Sequence, residues 1–166
     1  KDQPDIKEST RWAEGYESVA DLAETVPDTR LVYVADREGD LRALIDAAAR
    51  RGAPADGLIR SKHNRKTTTG EKWWDRLGLS DPLGEVEFTL PAAPARPARP
   101  VRQTLYREVV TLPAHHGQPA VTVTAILARE ERPPTGEKAI EWRLLTNRTA
   151  ETLEQVVELI DWYRRR

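Results

Sequence analysis

The chain reads as an α/β protein, a parallel strand–helix–strand unit followed by mostly antiparallel strands and a closing helix. An apolar, β-branched run, Leu31-Val32-Tyr33-Val34-Ala35, stops abruptly at Asp36, and Leu41, Leu44 and Ile45 then recur at helical spacing. Further along, residues 85–90 and 104–112 alternate apolar and polar, 121–127 is β-branched, and 140–145 closes the strand series. The last apolar stripe, Leu153, Val156, Val157 and Ile160, has helical spacing.

In order, the first element spans residues 7–25, where Trp12, Val19, Leu22 and Ala23 form an imperfect helical stripe that Gly15 weakens. Pro27, Asp28 and Thr29 form a turn into the 31–35 strand, whose unbroken apolar run is that of a central strand covered on both faces. Arg51-Gly52 stops the helix after it, and Gly57-Leu58-Ile59-Arg60 is the second strand. A right-handed crossover makes the two strands parallel and brings Arg60 to the same sheet edge as Asp36. From Ser61 the chain becomes a polar basic loop, Ser-Lys-His-Asn-Arg-Lys, and residues 71–77 hold a helical turn around Trp73 and Trp74. Residues 91–100 alternate Pro, Ala and Arg, lack large apolar groups, and read as an extended or mobile linker or loop tip. His115-His116-Gly117 reads as a hairpin tip and Arg132-Pro133-Pro134-Thr135-Gly136 as another turn. The closing helix starts near Thr149 or Glu151, with Thr149 and Thr152 or Glu154 offering capping chemistry. The expected organisation is therefore a core part at 1–60, a β-strand insertion at 61–148 and a core helix at 149–166.

At 166 residues and 39% apolar composition, the chain is long enough for one domain with a real core. No stretch reaches membrane-spanning length and no apolar leader follows the basic start, so the expectation is a soluble, cytoplasmic protein with no membrane partner. The chain has no cysteine, which removes disulfides, thiolate nucleophiles and zinc–thiolate sites together. Net charge is −1, which argues against a uniformly basic nucleic-acid surface, yet cations cluster at 60–66, 96–107 and 164–166. There is no internal repeat, and Gly78, Gly84 and Gly117 are isolated turn residues, not a phosphate-binding loop. The two adjacent histidines point apart on a turn and have no carboxylate at ligand spacing. The chain opens on Lys1, contains no methionine, and stops inside a helical pattern without a cap, so it is expected to be a piece of a longer protein.

Asp36 is the chief candidate for chemistry. In open α/β sheets, ligands sit outside the carboxyl ends of the strands, where this carboxylate lies. On this stretch alone the plainer reading is a loop or helix-capping acid. Trp142, taken alone, reads as a cross-strand core residue, and Arg164 to Arg166 as a solvated helix end favourable to the helix dipole.

Four sets of residues, in this order and spacing, carry a resemblance. They are Lys7-Glu8-Ser9 with Trp12; Asp36-Arg37-Glu38-Gly39-Asp40; Arg60-Ser61-Lys62-His63; and Glu141-Trp142-Arg143-Leu144-Leu145-Thr146 followed by Ile160-Asp161-Trp162-Tyr163. Over nearly its whole length the chain resembles the bacterial cut-and-paste transposases of the insertion-sequence-four family, of the transposon-five type. The resemblance implies a ribonuclease-H-like fold interrupted by a β-strand insertion. It also implies a site of two aspartates and a glutamate (DDE) holding two Mg2+ or Mn2+ ions for hydrolysis and strand transfer at transposon-end DNA. Hard divalent cations take oxygen ligands, and paired ions stabilise attacking and leaving oxygens together.

By motif, Asp36 matches the second aspartate, a catalytic residue and metal ligand. Arg60, Tyr163 and Arg166 match contacts to transposon-end phosphates, and Trp142 matches an aromatic that stacks on an extruded base. The first aspartate belongs to an earlier strand and the glutamate falls beyond Arg166, so these 166 residues are expected to be inactive alone and the complete protein to be a homodimer. The alternatives are a non-catalytic DNA-binding or interaction module from a decayed transposase, and a non-nuclease α/β protein using Asp36 as phosphoacceptor. Trp12, Trp73, Trp74 and Trp162 are expected to be packing residues.

Overall fold

The computed structural model describes residues 4–36, 41–115 and 117–166, without the side chains of residues 4–10 and of Leu41. Most of the Asp-Arg-Glu-Gly-Asp motif, residues 37–40, and His116 lie outside the described residues. In chain order the elements are α1 (Pro4–Thr25), β1 (Val32–Ala35), α2 (Leu41–Arg50), β2 (Asp56–Arg60), α3 (Trp73–Leu79), β3 (Gly84–Leu90), β4 (Arg99–Leu112), β5 (Val121–Glu130), β6 (Glu141–Thr146) and α4 (Leu153–Arg164). No described helix is long and apolar enough to cross a membrane.

The strands form one six-stranded sheet in the order β1-β2-β6-β5-β4-β3. β1 and β2 are parallel, with Ala35 opposite Ile59, and every other pairing is antiparallel. The strands of segment 61–148 continue the sheet begun by β1 and β2, because β6 pairs directly with β2, Arg60 opposite Leu144. Alternation along the strands divides the core in two. Ile59, Leu145, Leu127 and Val110 pack with Tyr16 and Ala20 of α1, Leu44 and Ile45 of α2, and Trp73 and Leu77 of α3. Their chain neighbours Leu58, Leu144 and Ile126 point to the other face and pack with Val156, Leu159, Ile160 and Tyr163 of α4.

β1 departs from its expected central position and forms one edge of the described sheet. Its faces are nonetheless covered. Val32 and Val34 pack on the α4 side and Tyr33 on the α1 side, while the strand buried most fully is its neighbour β2. An apolar run reports covered faces and carries no information about lateral partners, which are backbone groups.

Gly15 does not interrupt α1. A Cβ there would come within 2.5 Å of the Tyr33 hydroxyl, so the glycine lets the helix seat directly on the ring of β1. The neighbouring Tyr16 is fully buried and donates to the Ala55 carbonyl at 2.7 Å.

Of the two forms expected for residues 91–100, linker or loop tip, the structure has the second, the tip of the β3–β4 hairpin. Ala93 and Arg96 close a tight turn with reciprocal backbone hydrogen bonds of 2.8 and 2.9 Å, and β4 already begins at Arg99. Buried Arg99 forks onto buried Glu130 of β5 at 2.6 and 3.0 Å, and the same carboxylate accepts from the Ile140 backbone at 2.9 Å. A charge-assisted bidentate pair thus anchors a stretch with too few apolar groups to pack by itself. The cap of α4 also falls elsewhere than at Thr149. Thr152 accepts from the Gln155 backbone at 3.2 Å while the Gln155 amide oxygen accepts from the Thr152 backbone at 3.2 Å, a reciprocal capping box.

At the amino end of β2, Asp56 is buried between Arg30, whose Nε donates at 2.9 Å, and Arg148, which donates at 3.0 Å. Burial pushes its carboxyl pKa up, but the hydrogen bonds from Arg30 and Arg148 outweigh that and hold it below the usual range. A depressed folded-state pKa means that the stabilisation is complete above the unfolded value, about 3.9, and is lost as pH falls through the folded one. Asp56→Asn is therefore expected to lower stability at neutral pH by about 1–3 kcal/mol. Urea midpoints measured across acid pH should also show a smaller acid-dependent loss in the variant than in the parent.

Candidate DNA-phosphate site

The parallel register of β1 and β2 makes Asp36 and Arg60 neighbours, since Ala35 and Ile59 are directly opposed and each charged residue follows its strand partner. From the other face of the sheet, α4 brings its carboxyl end to the same place. Tyr163 is fully buried and donates to Asp36 Oδ1 at 3.2 Å, while Arg60 donates to the Tyr163 hydroxyl at 3.4 Å and lies 3.8 Å from the same carboxylate oxygen. Arg166 donates to the other oxygen, Oδ2, at 3.0 Å and to the Tyr163 carbonyl at 2.9 Å, with its guanidinium 3.9 Å from the Tyr163 ring centre. Burial raises the Tyr163 pKa, against the pull of Arg60 and Arg166, so the hydroxyl keeps its proton and remains the donor to Asp36.

Trp142 completes the group. It lies on β6 opposite Ala128, half-buried on the α4 side of the sheet, with its ring 5.2 Å from Tyr163 at 63°. All five residues assigned by motif, Asp36, Arg60, Trp142, Tyr163 and Arg166, thus belong to one cluster although 130 positions separate its ends.

Two further participants carry no motif, although Arg164 belongs to the basic 164–166 cluster. Phe88 of β3 stacks on Trp142 with centres 5.6 Å apart and planes 17° from parallel, and the Arg164 guanidinium lies 4.2 Å from the Phe88 centre. The one available signal was a large aromatic on the apolar side of an alternating strand. The four tryptophans expected to pack do so. Trp73 is fully buried and Trp12 lies partly buried on the same core, while Trp74 sits under Arg143 at 4.3 Å and Trp162 under Arg148 at 5.2 Å.

Beside the cluster, the basic loop after β2 is held in shape. The Ser61 backbone donates to the Arg143 carbonyl at 2.8 Å, Asn64 accepts from the Trp74 backbone at 2.9 Å, and Trp73 donates to the Arg65 carbonyl at 3.2 Å. Lys62, His63, Arg65 and Lys66 are exposed on this frame.

Among the described residues, two guanidiniums converge on one carboxylate, an excess of positive charge suited to an anion. The side chains of Asp36, Arg60 and Arg166 remain 38%, 24% and 32% exposed, so an entering phosphate could reach them. Divalent ions fit less well. Among the described residues no group of three His, Asp or Glu side chains is placed to hold a metal ion, and both Asp36 oxygens already face cations or a hydroxyl. The described residues alone therefore do not fit a two-ion centre. His115 closes the β4–β5 hairpin, exchanging backbone hydrogen bonds with Gln118. No protein-family model matches the chain.

Proposed function

We propose that this sequence is part of a DNA transposase of the insertion-sequence-four type, with a ribonuclease-H-like core, and that the Asp36 cluster is where it handles a DNA phosphodiester at a transposon end. The supporting observation is convergence. Residues assigned from widely separated motifs, each of a type suited to phosphate or metal, meet within hydrogen-bonding distance at the carboxyl ends of two parallel strands. Nothing in their individual periodicity required that meeting.

In this reading the chain's own residues bind and orient. Arg60 and Arg166 exchange Asp36 for a phosphate oxygen, and their planar donors set the phosphate's orientation. Tyr163, neutral and buried, holds Asp36 through its hydroxyl and carries Arg166 on its ring face. The exposed cations of the 62–66 loop continue the positive surface along a nucleic-acid backbone. The two Mg2+ or Mn2+ ions belong to the proposal as well. Asp36 would supply one ligand, and the remaining carboxylates would have to come from outside the described residues.

A non-catalytic DNA-binding module is the second reading, favoured by the single carboxylate that the described residues place in the cluster and by the two arginines that face it. DNA binding is common to both readings and tests them together. In salt-titrated binding of the 166-residue chain to duplex DNA, Arg60→Ala and Arg166→Ala should each weaken affinity and each reduce the salt slope by about one. Unchanged slopes in both variants would remove the cluster from the DNA surface.

Catalysis separates the readings. In the natural protein carrying this sequence, with divalent metal and an end-sequence substrate, Asp36→Asn should cut nicking and strand transfer together by at least about a hundredfold, more than loss of an outer-shell partner costs. Trp142→Ala removes only a stacking surface worth about 1–3 kcal/mol. It should spare the first nick and slow the later step. Normal nicking by Asp36→Asn would overturn the catalytic assignment and leave the binding module.

A further inference from the structure

Phe88 is the chain's single phenylalanine and sits on the strand at the far edge of the sheet from Asp36. Strands β5 and β4 intervene between β6 and β3, and the register lines Trp142 up with Gly84, four residues from Phe88, so in a flat sheet Phe88 and Trp142 would be about 20 Å apart. Their rings are instead 5.6 Å apart and nearly parallel. The sheet must therefore curl over the α4 face, and at this edge the curl ends in an aromatic contact. Phe88 is half-buried, flanked along β3 by exposed Glu87 and Thr89. Its companion on the same side of the strand, Val86, already serves the α4 core, which leaves the ring free to contact the indole.

From this geometry we infer that Phe88 is a positioning residue for Trp142, fixing the plane in which the indole is offered to an unpaired base. The inference rests on the proposed reading of Trp142 and extends it to a residue no motif marked. Phe88 covers the indole from one direction and Tyr163 abuts it at 63° from another, so the ring is held on two sides. Arg164 holds Phe88 in turn, 4.2 Å from its centre, while its own Nη1 donates to Asp161 at 3.0 Å. The run Arg164, Phe88, Trp142, Tyr163, Asp36 thus links the outer strand to the carboxylate through ring contacts and one hydrogen bond. A stacking platform gains most when its plane is set before the base arrives, because ordering the side chain costs free energy at the moment of binding.

The test uses the 166-residue chain labelled with fluorotryptophan, the Trp142 resonance being assigned by its loss in Trp142→Phe. Phe88→Leu keeps apolar volume on β3 and removes the ring. Its Trp142 resonance should shift and broaden, and Phe88→Tyr should restore it. The same proteins are then titrated with a fully paired duplex and with a duplex carrying one unpaired fluorescent aminopurine. Phe88→Leu should reduce the preference for the unpaired base about two- to tenfold and leave affinity for the paired duplex unchanged, with Phe88→Tyr again restoring it.

If Trp142→Ala loses the preference while Phe88→Leu keeps both preference and resonance, Phe88 has no positioning role and the inference is overturned with the reading of Trp142 intact. Equal weakening toward both duplexes in Phe88→Leu, unrestored by tyrosine, would mean a structural role and also overturn it. If Trp142→Ala keeps the preference, the base-stacking reading falls and takes the inference with it.

Discussion

The burial of β2 on both faces is the constraint from which the rest follows. Leu58 and Ile59 are adjacent in the chain and belong to opposite cores, one closed by α4 and the other by α1, α2 and α3. A one-residue slip would exchange the two faces and expose each to the wrong partner. The register is therefore strongly specified, and it places Arg60 beside Asp36 on one side and opposite Leu144 on the other. Burial of two aliphatic side chains thus decides where a guanidinium and a carboxylate meet.

The two ends of β2 show how the same chemistry acquires different uses. Asp56 at one end and Asp36 beyond the other each face two arginines. The Asp56 side chain is only 6% exposed, and its carboxyl stays ionised because the hydrogen bonds from Arg30 and Arg148 outweigh desolvation. Breaking that arrangement leaves a buried charge unpaired, so it acts as a fixed tie between β2 and the chain after β6. The Asp36 side chain is 38% exposed. Its arginines can be rehydrated or taken by another anion at small cost, since exposed ion pairs contribute little. An exchangeable pair is a poor tie, and under the proposed reading it would suit a binding site.

Most elements were legible because their cause is local. The strand–helix–strand unit, the alternating strands and the closing stripe all follow from side-chain period, and each is present. The departures have non-local causes. β1 is apolar because its faces are covered, and only pairing elsewhere decides whether it is central. Gly15 reads as a helix weakness until Tyr33 is placed beneath it. The Pro/Ala/Arg segment reads as either a linker or a loop tip, because the partner that anchors Arg99, Glu130, lies 31 residues away. For the site, period and composition proposed only Asp36 and its edge-mate Arg60. Tyr163, Arg166 and Trp142 came from ordered motifs, and their meeting is a property of the tertiary structure. Phe88 had neither motif nor neighbourhood in sequence to announce it.

Trp142 shows why packing and function need not compete as explanations. Considered alone, it is a cross-strand aromatic on the core face of β6, and its contacts with Phe88 and Tyr163 are what such a residue would make. Yet a ring that must receive a base in one orientation has to be held by neighbours, and rings hold a ring without presenting polar groups that water would fill. The indole stays half-buried in the Asp36 cluster, in contact with Phe88 and with buried Tyr163. The packing that makes it resemble a core residue is thus also what would make it a rigid platform. Measuring the cost of removing it therefore says less about its role than measuring which ligand, paired or unpaired, that cost depends on.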